Sequence, residues 1–159
     1  MASTYNPIST TTFSSNTTSY TFSSIPATYT DLVLVISGNF TADVSGGFTL
    51  NNDGGANYSS TRMYGDGTNA TANGSYSGNQ MAFTTGTGTT RSTFIINIMN
   101  YSNSSLYKPI LIESAMDTIA LRSGIWMNTS AVSRIDVTAN SGQQFVSGTT
   151  LTLYGIKAA

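Results

Sequence analysis

The sequence predicts an all-β protein: an antiparallel, jelly-roll-like β-sandwich of about eight to ten strands. Apolar residues alternate with polar ones in short runs, which is the period of a strand that turns one face to a core and the other to water. Clusters of glycine, asparagine, serine and threonine separate these runs. No longer stretch has the 3.6-residue period of an amphipathic helix, so we expect little or no helix.

The strongest predicted strand is the run at residues 31–37, DLVLVIS, which we expect at the centre of a sheet with both faces buried. Residues 91–100 and 106–116 have the same character and lie on either side of a polar turn at 100–105, so they predict antiparallel neighbours. Pro109 lacks a backbone N–H group. Its presence predicts that the second of these strands lies at a sheet edge or carries a bulge.

Weaker alternation predicts the remaining strands, and turn-forming clusters divide them. The strands are expected at residues 20–23, 47–50, 80–83, 119–127, 132–137 and 151–156, and the turns at 51–57, 65–78, 84–90 and 139–143. Residues 19–159 are expected to form a single sandwich domain. Residues 1–18 are rich in serine, threonine and asparagine, which predicts either an extended arm that orders against a neighbouring subunit or a frayed terminus.

The composition argues against most kinds of catalytic and metal site. The chain of 159 residues has no histidine, no cysteine and only 8% charged residues. Histidine and cysteine supply most zinc sites and most activated nucleophiles. We therefore expect a protein that is not an enzyme and that binds no metal or other cofactor.

Charge and hydropathy restrict the partners. A net charge of -1 and six scattered basic residues predict no nucleic-acid partner. No apolar run approaches the roughly 18 residues of a membrane span, and the sequence opens without the basic and apolar regions of a signal peptide. We expect a protein that is made in a cytoplasm and has no membrane partner.

Carboxylates offer the remaining route to a metal or catalytic site. Residues 51–57, NNDGGAN, contain the small residues of a calcium loop but only one carboxylate, Asp53, which favours a hairpin turn over a metal site. An acid pair of a glycosidase would have to come from the seven carboxylates. These are Asp31, Asp43, Asp53, Asp66, Glu113, Asp117 and Asp136. Most occupy turns or polar strand positions, which favours structural roles.

Four aromatic residues are candidate surface contacts: Tyr5, Tyr58, Tyr64 and Trp126. Trp126 lies in an alternating run, which favours the core or a subunit interface over a platform for a sugar ring. Tyr58 and Tyr64 flank a polar segment and are expected to be exposed, where they could bind a glycan or another protein. Tyr5 belongs to the N-terminal segment that is a candidate arm.

Three segments resemble one family in the same order along the chain. Residues 148–159, GTTLTLYGIKAA, are similar to the ending of a group of virion proteins of tailed, cyanophage-like bacteriophages. Residues 24–35, SIPATYTDLVLV, resemble the early segment of that group, and residues 57–67, NYSSTRMYGDG, resemble its middle segment. None of the three is a catalytic motif.

The resemblance implies a β-sandwich on the outer surface of a phage particle, made in the host cytoplasm. It implies either a capsid decoration (cement) protein, which binds the major capsid protein and commonly forms trimers, or a tail or fibre component. A fibre module would bind host-surface polysaccharide through Tyr58, Tyr64 or Trp126. A third hypothesis, a glycan-cleaving sandwich enzyme, would need two of the carboxylates about 5 to 9.5 Å apart.

Overall fold

The computed structural model describes residues 4–42, 46–83, 91–116 and 118–157. Within these ranges the chain forms twelve strands and no helix, and the strands make two antiparallel sheets. The predicted all-β sandwich is therefore confirmed. The strands are β1 (Tyr5–Thr12), β2 (Ser19–Phe22), β3 (Asp31–Gly38), β4 (Gly46–Leu50), β5 (Tyr58–Gly65), β6 (Ala70–Gly78), β7 (Met81–Ala82), β8 (Ser92–Ile98), β9 (Lys108–Ala115), β10 (Ile119–Trp126), β11 (Ile135–Ala139) and β12 (Thr150–Ile156).

The two sheets differ in size. The larger has the order β1-β12-β3-β8-β9-β10-β5-β6, and the smaller has the order β2-β11-β4-β7. Strands from the beginning and the end of the chain interleave in both sheets. The strands β8, β9 and β10 form a meander between β3 and β5. The described ranges contain no helix that could cross a bilayer.

The core lies between the sheets and is supplied by every second residue of the strands. In β3, the side chains of Leu32, Leu34 and Ile36 are at most 1% exposed. The same period buries Phe94, Ile96, Ile98, Ile110, Ile112, Leu151 and Leu153 of the larger sheet and Phe48, Leu50, Ile135 and Val137 of the smaller one. Each such side chain contributes about 1.5 to 3 kcal/mol when fully buried.

The strongest sequence signals correspond to strands. The run at 31–37 forms β3, which lies inside the larger sheet, but its second face is only partly covered, with Val33 buried and Val35 half-buried. The predicted antiparallel neighbours are β8 and β9. The turn cluster at 84–90 falls outside the described residues.

The prediction for Pro109 is wrong, because β9 lies between β8 and β10 rather than at an edge, and its pairing shows no bulge. The Met99 N–H donates to the Pro109 carbonyl over 3.0 Å. Proline cannot donate in return, so this residue sits where the pairing of β8 and β9 ends at Ile98 and Ile110.

Three strands were missed by the prediction of eight to ten: β1, β5 and β6. Residues 65–78 were predicted as a turn, yet Ala70–Gly78 forms β6 and pairs with β5. Glycine, serine, threonine and asparagine dominate these strands. A strand with no core-facing apolar face gives no alternation signal.

Residues 51–57 form a turn, although not a hairpin turn, because they join β4 of the smaller sheet to β5 of the larger one. Asn51 and Asn52 both have positive φ, 54° and 57°, a conformation that asparagine tolerates better than most residues. The side-chain oxygen of Asn51 accepts a bond from the Ser133 N–H over 2.9 Å. The turn is therefore tied to the segment that leads into β11.

The N-terminal segment pairs with its own chain. Tyr5–Thr12 forms β1 at the edge of the larger sheet and pairs with β12, with an irregularity between Pro7 and Ser9. Phe13 follows it into the core, where it is 7% exposed. Residues 1–3 lie outside the described ranges, and the described remainder of the candidate arm continues along the sandwich towards β2.

Two of the segments that carry the family resemblance pack on each other. The ring of Tyr29 lies over Gly155, where a Cβ atom would come within 2.3 Å of the ring. The Thr30 N–H donates to the Ile156 carbonyl over 2.8 Å, and Lys157 Nζ lies 5.9 Å from the centre of the Tyr29 ring. These residues therefore have structural roles. The last two residues of the motif are outside the described ranges.

Candidate functional site

Two of the four candidate contact residues are buried. Trp126 is 0% exposed, so it lies in the core, one of the two positions that its alternating run favoured, and not on the surface as a candidate contact. The expectation that Tyr58 is exposed is wrong, since it is 2% exposed and stacks on Trp126 with ring centres 6.5 Å apart. Its hydroxyl accepts a bond from the Leu50 N–H over 2.8 Å, and burial raises the pKa of this phenol. Neither ring can meet a ligand from solvent.

Asp53, the lone carboxylate of the NNDGGAN segment, organises the turn beside these rings. It accepts bonds from Trp126 Nε1 over 2.8 Å, from Asn57 Nδ2 over 2.9 Å and from the Gly55 N–H over 2.9 Å. Partial burial acts to raise the pKa of Asp53, but these hydrogen bonds outweigh it, so the pKa lies below its usual value near 3.8. The carboxylate oxygens are thus occupied by protein donors.

The other described carboxylates are held mainly by local donors. Asp31 accepts a bond from the Asn100 N–H, Asp66 from the Thr68 and Asn69 N–H groups, and Asp136 from Arg134 and Thr21. Asp43 and Asp117 lie outside the described residues. In the described ranges no three metal-ligating side chains come together. The bonded acids stabilise turns and strand ends.

The remaining two candidates lie at different places on the larger sheet. Tyr5 is 56% exposed on the edge strand β1, and its ring meets that of Tyr154 edge-on, with centres 6.1 Å apart. Tyr64 is half-buried on β5, with the Arg62 guanidinium carbon 4.5 Å from its ring centre. The four predicted residues therefore do not form one site.

A different feature emerges from the register of the larger sheet, on the face that points away from the smaller one. Residues that pair across the strands form straight rows on this outer face, and two neighbouring rows of eight contain its most exposed apolar side chains. The first row is Thr10, Thr152, Val35, Ile95, Glu113, Leu121, Met63 and Ala72. The second row is Thr12, Thr150, Ser37, Thr93, Ala115, Ile119, Gly65 and Ala70. Glu113 is the only charged residue in either row.

The half of the outer face formed by β8, β9, β10, β5 and β6 carries an apolar patch. Four large apolar side chains define it: Met63, Ile95, Ile119 and Leu121, which are 58%, 36%, 74% and 40% exposed. Glu113 lies between Ile95 and Leu121 in the first row, and alanine and glycine fill most of the other positions between them. Two shallow depressions of about 250 and 460 Å³ are both lined by Ile119 and Leu121. Contiguous apolar surface of this kind marks contact sites more often than isolated residues do.

The other half of the outer face is a threonine patch on β1 and β12. Thr10 Oγ1 donates to Thr152 Oγ1 over 3.2 Å, and the Thr12 and Thr150 hydroxyl oxygens lie 3.0 Å apart. Such hydroxyl pairs hydrate easily and carry no charge. The outer face therefore offers apolar contact on one side and hydrogen bonding on the other.

Sequence reasoning missed the outer face as a site. The alternation of Ile119 and Leu121 was visible in the sequence, but each was treated as an ordinary residue of a half-buried strand. The rows also need β5 and β6, which the sequence did not reveal as strands, and a pairing order that joins residues far apart in the chain. Short-range patterns do not contain that order.

Comparisons with known proteins give distant similarities only. No family model matches the chain, and no curated protein matches it. The exo-inulinase from Aspergillus awamori is 12% identical with a TM-score of 0.44, over 97% of this chain and 30% of the inulinase chain. A mutant of the alginate lyase Aly36B with an alginate tetrasaccharide is 11% identical with a TM-score of 0.32, over 82% of this chain and 72% of the lyase.

A second Aly36B mutant, with an alginate trisaccharide, is 11% identical with a TM-score of 0.37, over 94% of this chain and 80% of the lyase. This chain thus spans less than a third of the inulinase chain and most of the lyase. All three TM-scores are too low to carry an argument about function.

Proposed function

We propose that the protein is a non-enzymatic structural protein of a tailed-phage virion: a capsid decoration (cement) protein that binds the outer surface of major-capsid subunits. The observation that carries the proposal is the outer face of the larger sheet, which combines four exposed apolar side chains with one charged residue in two rows of eight. The order-preserving resemblance of three segments to phage virion proteins supports it.

The outer face suits passive contact with a protein surface. Burial of apolar side chains stabilises an interface in proportion to the area removed from water. A nearly uncharged surface makes contacts that salt screens little. In this proposal the protein forms homo-oligomers on the shell, with a trimer as the expected state, and uses no nucleic acid, membrane or cofactor.

Copy number in purified virions tests the location. A decoration protein approaches the abundance of the major capsid protein, whereas a handful of copies per particle would overturn the proposal and favour the tail. Quantitative mass spectrometry or a particle reconstruction measures this ratio.

Binding of variants to capsids that lack the protein tests the surface. Leu121→Lys places a charge in the apolar patch and should weaken binding at least about tenfold, because the ammonium must be desolvated in the contact. Leu106→Lys is the matched control, since Leu106 is also exposed, 56%, but lies in the loop between β8 and β9. Equal binding of both variants would show that the outer face is not the contact.

A second candidate is a tail or fibre module that binds host-surface polysaccharide. The paired rings of Tyr5 and Tyr154 at the exposed edge of the larger sheet favour it, because aromatic faces stack on sugar rings. Tyr5→Ala should abolish adsorption of the isolated protein to host cells, and Tyr107→Ala, another exposed tyrosine at 49%, should not. Failure of the unmodified protein to bind cells would remove this candidate.

A further inference from the structure

Two arginine residues are direct neighbours in the pairing of β5 and β10. Arg122 on β10 pairs directly with Arg62 on β5, and its other neighbour in the register is the buried Ile112. Both arginines therefore point to the inner face of the larger sheet. Arg122 is only 9% exposed.

Within the described ranges, the side chains that accept hydrogen bonds from this pair are uncharged. Arg122 donates one bond to Ser60 Oγ over 2.8 Å, and Arg62 Nε donates to Asn73 Oδ1 over 2.8 Å. In the described part of the chain the single salt bridge is that between Arg134 and Asp136. Arg62 and Arg122 thus line one cavity, and no described carboxylate bonds to either.

Such an arrangement is costly without a counter-charge. Burial, with a contribution from the charge of Arg62, lowers the pKa of Arg122 to about 10. That value still leaves the group protonated at neutral pH. The like charges repel each other, and the guanidinium of Arg122 has lost much of its water. A bound anion would relieve both effects.

The space beside the pair limits the size of such an anion. A small cavity of about 10 Å³ is lined by Arg62 and Arg122 together with Tyr64, Phe83, Ser114 and Met116. This volume accommodates about one water-sized sphere. A carboxylate, a phosphate or a sugar acid is several times larger than this space, so a monatomic halide, which is only somewhat larger than a water molecule, is the class of anion nearest to it in size.

We propose that Arg62 and Arg122 bind a single small inorganic anion of the chloride class, which bridges the two guanidinium groups and completes the core at the junction of β5 and β10. The remaining guanidinium N–H groups supply the donors, and the aromatic and apolar lining limits access of water. The ion is a structural ligand of the folded chain, whatever surface the protein binds.

Thermal unfolding at constant ionic strength tests the proposal, with sodium chloride compared with sodium gluconate, whose anion does not fit. Chloride at ten times its dissociation constant should raise the Tm by roughly 3 °C or more. Arg62→Gln should lose this difference. Arg91→Gln, which removes the same charge at an exposed position beyond the cavity, should keep it. Equal Tm values in both salts, or a shift that persists in Arg62→Gln, would overturn the proposal.

Anomalous diffraction from crystals grown in sodium bromide provides a readout that does not depend on the stability of a variant. A bromide peak within about 3.5 Å of both guanidinium groups is expected, and its absence would overturn the proposal. Asp117 lies between β9 and β10 in the sequence but outside the described residues, and the Asp117→Asn variant tests whether its carboxylate is the counter-charge instead. If that carboxylate were the counter-charge, chloride would stabilise only the Asp117→Asn variant.

Discussion

At the scale of single residues, packing explains the positions of Tyr29, Tyr58 and Tyr101. Tyr29 lies on Gly155, and Tyr101, which is 0% exposed, donates a hydrogen bond from its hydroxyl to the Pro26 carbonyl. Tyr58 closes the turn after β4 by accepting a bond from the Leu50 N–H. The contacts of Tyr29 and Tyr101 hold the segment before β3 against β12 and against the turn after β8, and the contact of Tyr58 holds β5 against β4.

The contact of Tyr29 with Gly155 predicts a large effect of one methyl group. In Gly155→Ala the added Cβ would lie 2.3 Å from the ring carbons, so the ring or the strand must move, and we expect the free energy of unfolding to fall by about 1 to 3 kcal/mol. Gly54→Ala is the control, because its Cβ would meet nothing within 4 Å. Chemical denaturation measures both. Equal stabilities of Gly155→Ala and Gly54→Ala would show that the Tyr29 ring moves aside without a measurable cost.

The hydrogen bonds to Asp53 predict acid sensitivity. Its pKa is lower in the folded protein than in the unfolded chain, so the stabilisation is present above the unfolded value near 3.8 and is lost as the pH falls through the folded value. The free energy of unfolding should therefore decrease below about pH 4. Asp53→Asn should show a smaller decrease between pH 6 and pH 3. An identical decrease in the variant would assign the effect to other carboxylates.

At the scale of strands, the sequence predicts those strands whose apolar side chains face the core. Nine strands were visible because leucine, isoleucine, valine and phenylalanine alternate or cluster in them. The strand β6 was not visible, since its residues 70–74 are exposed and small or polar. The pairing of β1 with β12 was also hidden, because Ile8 alone marks an inward position in a run of threonine and serine.

Because β1 is an edge strand that pairs only with β12, its removal should lower the stability of the protein and expose β12. Deletion of residues 1–12 removes the partners of seven residues in the β1–β12 register, and at about 0.5 kcal/mol for each lost position, the low end for a hydrogen bond, the free energy of unfolding should fall by at least about 3 kcal/mol. It also leaves β12 as a free edge, so light scattering should detect association. Deletion of residues 1–4 is the control. A segment that orders only on a neighbour would leave the monomer equally stable in both deletions.

At the scale of the whole molecule, the candidate site depends on long-range order. The outer rows bring together Met63 of β5, Ile95 of β8 and Leu121 of β10. In the chain, β6 and β7 separate β5 from β8, and β9 separates β8 from β10. Composition alone indicated a surface poor in charge. It could not indicate which side of the sandwich concentrates the exposed apolar side chains, because that side is defined by the register.

The single charge on the outer rows predicts that capsid binding depends little on ionic strength. Between about 0.05 and 0.5 M sodium gluconate the dissociation constant should change less than about threefold, because no charged pairs are available for screening. Gluconate is used instead of chloride because chloride would also stabilise the protein through the proposed anion site at Arg62 and Arg122. A steep rise of the dissociation constant with salt would place the contact on the charged loops instead.

The eight strands of the larger sheet determine the area that a partner can cover on the outer face. Eight strands at about 4.8 Å and eight residues at about 3.4 Å give a rectangle of roughly 34 by 27 Å, close to the 800 Å² that one partner buries in a standard interface. The five apolar strands account for only about 500 Å² of it. A partner that fills this area must therefore cross onto the threonine patch, where hydroxyl groups would fix its orientation while the apolar patch supplies the attraction.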